Sequence, residues 1–70
     1  MEIAFTQHAA ERLITRKISM EEVTLAIRCP DLTIKKYGKY FFQKKLDKGK
    51  IEICCEKTEN IINVITVYWV

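Results

Sequence analysis

Seventy residues, 49% apolar and 30% charged, suit one folded domain spanning residues 1–70 and exclude a disordered tail. No apolar run approaches the ~20 residues of a membrane helix, and residues 1–8 lack the basic-then-apolar order of a signal peptide. The expected setting is therefore cytoplasmic, with no membrane partner. The net charge of +3 is unevenly spread: residues 35–50 hold seven lysines against Asp47, while the segments on either side are slightly acidic.

In chain order, residues 1–5 read as either a short strand or an extended lead-in. Thr6 is an N-cap for a helix over residues 7–16, whose apolar stripe is Ala9, Ala10, Leu13 and Ile14. Ser19 and Glu22 form a capping box, and Ile18 with Val23 supplies the hydrophobic staple of a second helix. That helix is expected to bury Met20, Val23, Ala26 and Ile27, and Pro30 stops it after Cys29. Two helices joined by so few residues make an αα-hairpin.

The pattern then changes to β. Residues 32–34 suit a short strand, Tyr37-Gly38 a turn, residues 39–46 a strand, and Asp47-Lys48-Gly49 a second turn. In residues 50–57, Ile51, Ile53 and Cys55 should face the core while Glu52, Cys54 and Glu56 face solvent. Thr58-Glu59-Asn60 turns into residues 61–70, a nearly continuous apolar run that predicts a strand covered on both faces. The expected fold is α+β: an N-terminal αα-hairpin on one face of a three- or four-stranded antiparallel sheet.

Few residues here carry chemistry. His8, Arg12 and Arg16 recur at four-residue spacing and so form one helix ridge, which is either a phosphate-handling group or a solvated surface. In KKYGKYFFQKKLDKGK, lysines alternate with aromatic rings, as in a nucleic-acid contact or in a lysine-protected strand edge. On the last strand, simple alternation places Thr66 and Tyr68 with Ile62 and Val64, and Asn63 with Ile65, Val67 and Trp69. Cys29, Cys54 and Cys55 suggest small buried hydrophobes in a reducing compartment. No C-x-x-C, second histidine, nucleophile triad or Gly-rich phosphate loop is present, so neither metal nor cofactor is expected.

Three separated motifs, F-T-x-H-A-x-x-R, R-x-I-S-x-E-E-V and V-I-T-V-Y-W, together resemble the small domain-of-unknown-function family 4258 over residues 5–69. That resemblance implies kinship with the barnase–colicin–RelE-like ribonuclease folds, many of which are toxins paired with an antitoxin. It points to His8, Arg12 and Thr66 as catalytic residues and to Arg16 as a phosphate ligand. Lys39, Lys44 and Lys45 would stand in for the basic groups that such toxins carry on the sheet. Two functions follow. One is a metal-independent endoribonuclease in which His8 is the acid or base and the arginines clamp the phosphate. The other is a non-catalytic module of the same RelE-like fold that binds RNA or protein. The partners implied are RNA, a cognate antitoxin or other protein, and a second copy of the chain in a homodimer.

Overall fold

The computed structural model describes residues 2–70. The chain runs β1 (Glu2–Phe5), α1 (Gln7–Arg16), α2 (Met20–Arg28), β2 (Leu32–Lys36), β3 (Lys39–Leu46), β4 (Gly49–Thr58) and β5 (Ile61–Trp69). The strands form one sheet in the order β1-β5-β4-β3-β2. β2 to β5 pair antiparallel, and β1 pairs parallel to β5, Glu2 opposite Ile61 through Phe5 opposite Val64. This corrects the fold expected from sequence: the sheet has five strands rather than three or four, and it is mixed rather than antiparallel. Four residues are too few for a period-two pattern, and the partner of β1 lies at the far end of the chain. Only tertiary pairing makes that segment a strand; Met1, also placed in it by sequence, lies outside the described residues.

Local signals set the helices. Thr6 Oγ1 accepts the Ala9 N–H at 3.1 Å, and its own hydroxyl donates to the Ile65 carbonyl at 3.2 Å, fixing the start of α1 against β5. Lys17 ends α1 in the left-handed region at φ 56°, and Ile18 N–H returns to the Leu13 carbonyl at 2.9 Å. The capping box of α2 is complete: Glu22 N–H donates to Ser19 Oγ at 3.1 Å, and Ser19 N–H donates to Glu22 Oε1 at 2.9 Å. Trp69 Nε1 donates to the Arg16 carbonyl and Lys48 Nζ to the Lys17 carbonyl, so the last strand and the β3–β4 turn satisfy the end of α1.

Both helices pack on the same face of the sheet. Ala9, Leu13, Ile18, Val23, Ala26 and Ile27 meet Ile51, Ile53, Cys55, Val64 and Val67 in one cluster. Three apolar residues of the helices depart from expectation. Ile14 is 81% exposed, Met20 55%, and Ala10 is also exposed. The sheet contacts only the Ala9–Leu13 line of α1, so the Ala10–Ile14 line borders an open groove with Phe5, Ile18 and Met20 instead of reaching the core. Cys29 is exposed rather than buried as expected, and Cys54, expected to face solvent, is buried on the face away from the helices; Cys55 is in the core as expected.

A β-bulge changes the parity of β5. Cys54 pairs with Thr66 but Cys55 pairs with Val64, so Ile65 is an extra residue. Val64 and Val67 can then both enter the helix-side core, where strict alternation would have divided them. The same step moves Thr66 and Tyr68 onto the face that the helices leave uncovered. The apolar run of β5 is therefore covered on one face rather than two.

Candidate nucleic-acid interface

Register and alternation place four rows of side chains across the uncovered face. Lys36 lies opposite Lys39, and the row continues to Glu56. Next come Ile34, Phe41, Cys54 and Thr66, followed by Leu32, Gln43, Glu52 and Tyr68. Lys45 opposite Lys50 closes the face. Lysine pairs thus bracket a mostly apolar row that carries Phe41 and a hydrogen-bonding row, the pairs being separated along β3 by about 20 Å at ~3.3 Å per residue.

The hydrogen-bonding row is already linked. Gln43 Nε2 donates to Glu52 Oε1 at 2.7 Å, and the Tyr68 hydroxyl donates to Glu52 Oε2. Burial, then the hydrogen bond to Glu52 and its charge, push the Tyr68 phenol up to about 12. It therefore stays a neutral donor through the physiological range. Burial also raises the neighbouring Cys54 thiol, which is not a thiolate nucleophile in this setting. The row offers amide, carboxylate and hydroxyl groups beside the half-buried ring of Phe41, a surface suited to unstacked bases.

The residues singled out from sequence divide between two faces. His8 is exposed on the first turn of α1 and Arg12 is half-buried one turn on. Arg16 Nη1 donates to the Val67 carbonyl at 2.6 Å. β1 ends opposite Val64, so Arg16 satisfies an edge carbonyl of β5 that has no strand partner there. Thr66 projects from the opposite face of the sheet, so the structure does not gather His8, Arg12 and Thr66 around one point. Lys44 lies on the helix side, opposite Ile51, with Nζ 3.5 Å from Asp31. Asp31 also accepts the Lys45 N–H at 2.7 Å; that bond, then the nearby Lys44 charge, hold its carboxyl below the usual range.

Lys39 and Lys45 do lie on the uncovered face, together with Lys36, Phe41, Gln43 and Lys50 of the same lysine–aromatic segment, and with Glu52 and Tyr68, which lie outside that segment. The alternation of β4 already assigns Glu52 to the non-core side. Its meeting with Tyr68 depends on the bulge, for which the sequence has no local signal. Among the described residues no three His, Cys, Asp or Glu side chains come together as metal ligands, and no helix is long and apolar enough to cross a membrane.

The family model "Domain of unknown function (DUF4258)" matches residues 5–69, nearly the whole chain, and the protein belongs to that family. No curated protein and no solved structure matches it significantly.

Proposed function

From membership of a family defined without an activity, we propose that this protein binds single-stranded RNA on the uncovered sheet face and does not cleave it. The observation that carries the proposal is the pairing of Lys45 directly opposite Lys50 and of Lys36 directly opposite Lys39. Like charges in direct cross-strand register destabilise a sheet. Glu56, 3.9 Å from Lys39, offsets part of this at the Lys36–Lys39 pair. Among the described residues Lys45 and Lys50 have no carboxylate within ion-pair distance, and a bound polyanion would offset their repulsion. Edge protection covers only half of the Lys45–Lys50 pair: β2 ends opposite Gln43, so β3 is locally an edge at Lys45, but Lys50 on β4 lies between β3 and β5. Between the pairs, Phe41 gives a stacking surface and the Gln43–Glu52–Tyr68 row gives hydrogen-bonding groups for base edges.

The proposed kinship with barnase–colicin–RelE-like ribonucleases is one of RNA affinity without cleavage. A ribonuclease built on His8, Arg12 and Thr66 needs them at one phosphate, and Thr66 faces away from α1. A protein partner, either a second copy or an antitoxin-like chain, has separate support in the exposed Ile14, Met20 and Leu25 of the helical layer.

Fluorescence anisotropy with a labelled single-stranded RNA at several salt concentrations tests the proposal. Affinity should fall steeply with salt. Changing Lys36, Lys39, Lys45 and Lys50 to glutamine should reduce the log–log slope by up to about 2.8, roughly 0.7 per lost contact. An unchanged slope overturns the assignment of this face.

A further inference from the structure

On the helix side of the sheet, past the region the helices cover, Thr33, Tyr40, Phe42, Cys55, Lys57 and Ile62 line a pit of about 130 Å³. Its volume equals that of roughly four waters at ~30 Å³ each, well below the ~300 Å³ of the smallest drug-sized sites. It is of a size to seat one small ring system. The floor is apolar: Cys55 and the neighbouring Ile53 are fully buried, and burial pushes the Cys55 thiol up to about 12, so it carries no charge. Tyr40 and Phe42, two apart on one strand, stand with ring centroids 6.1 Å apart and planes 7° from parallel.

The rim has the opposite character. Lys57 lines the pit, and Lys35 Nζ lies 5.5 Å from the centre of the Tyr40 ring. Among the described residues neither ammonium has a carboxylate within ion-pair distance. Two uncompensated cations beside an aromatic-walled slot of one-ring size are complementary to a flat heteroaromatic ring joined to an anion. A purely apolar occupant would leave Lys57 without a partner and Lys35 with only its cation–π contact to Tyr40, and a bare anion would leave the slot unfilled.

We propose that this pit binds a single nucleobase carrying a phosphate, with the base against Tyr40 and Phe42 and the phosphate held by Lys57 and Lys35. The site lies on the opposite face from the Lys45–Lys50 surface and stands independently of the RNA reading. A free mononucleotide and the terminal nucleotide of an RNA share this chemistry.

Amide and methyl NMR titrations of the intact protein with uridine monophosphate and adenosine monophosphate test the site. Saturable shifts should appear at Thr33, Cys55, Lys57 and Ile62. Ribose 5-phosphate, which lacks the stacking ring, and the unphosphorylated nucleosides should each bind roughly tenfold or more weakly. Lys35→Gln with Lys57→Gln should remove the preference for the phosphorylated ligand while the melting temperature stays the same. Thr33→Phe, at an exposed strand position, should block the slot without unfolding the sheet. A short RNA with a 5′ phosphate that binds here more tightly than the mononucleotide assigns the pit to an RNA end, and the reverse order assigns it to free nucleotide. Absence of saturable shifts at millimolar ligand overturns the proposal. So does equal binding of ribose 5-phosphate, or a Thr33→Phe variant that binds like wild type. None of these outcomes depends on Lys36, Lys39, Lys45 or Lys50, so this site and the uncovered face fail separately.

Discussion

Leu13 and Ile14 are neighbours on α1, and helical periodicity assigns both to the buried stripe. Leu13 is 7% exposed and belongs to the central cluster, whereas Ile14 is 81% exposed. Leu13→Ala deletes three carbons, a transfer loss of about 2.4 kcal/mol at ~0.8 kcal/mol per buried methylene. A residual cavity between α1 and the sheet adds to this, for a total of about 3–5 kcal/mol. Total stability for a domain of this size is roughly 3.5–10 kcal/mol, so the variant should lose at least 12 °C in melting temperature, at ~4 °C per kcal/mol or more. Ile14→Ala removes almost no buried area and exchanges a β-branched residue for the best helix former, giving a net change within about 0.5 kcal/mol. Urea unfolding of the isolated chain, with slopes compared to confirm two-state behaviour, measures both. Equal losses, or a larger loss for Ile14→Ala, would refute the placement of α1 along its Ala9–Leu13 line.

Gly49 has φ 143°, and a Cβ there would stand 3.2 Å from the Trp69 ring, so Gly49→Ala should destabilise by about 1–3 kcal/mol in a thermal melt. Gly38 at φ 73° has no neighbour within 4 Å, and Gly38→Asn should be nearly neutral in the same measurement. The carboxyl of Glu22 is held below its usual value chiefly by the Ser19 N–H, with Lys48 assisting. Its contribution is therefore complete above the ordinary glutamate pKa and is lost as pH falls through the lowered folded value; Glu22→Gln should flatten acid unfolding there. Tyr68 should ionise near 12 in ultraviolet titration, and Glu52→Gln should lower that value without restoring 10, since burial is the larger cause. The raised phenol stabilises the fold fully below about 10, and that contribution disappears as pH passes 12. His8→Ala should leave RNA affinity within about twofold in anisotropy, since His8 lies on the helical layer rather than on the binding face.

The helices were legible in the sequence because their signals lie within three or four residues: Thr6 with Ala9, Ser19 with Glu22, and Pro30 after Cys29. The alternation of β4 was legible for the same reason and correctly directed Ile51, Ile53 and Cys55 into the core. β1 was not, because its pairing partner is sixty residues away and four residues carry no periodic signal. Local alternation likewise misgrouped β5, putting Thr66 with Val64 and Val67 with Asn63, because one extra residue at Ile65 reverses parity. The Lys45–Lys50 and Glu52–Tyr68 juxtapositions required the registers of β3 with β4 and β4 with β5. The motif residues His8 and Arg12 stood out because they recur on one helix; a binding face assembled from four strands has no such contiguous signature.

The location of RNA on the protein is best tested by amide shift mapping during titration with a short oligouridine at low salt. Binding on the uncovered face predicts the largest perturbations at Phe41, Gln43, Lys45, Lys50, Glu52, Cys54, Thr66 and Tyr68, with His8 and Arg12 nearly unmoved. Perturbations centred on His8, Arg12 and Arg16, or RNA cleavage during the titration that His8→Ala abolishes, would contradict a non-cleaving interface on the sheet.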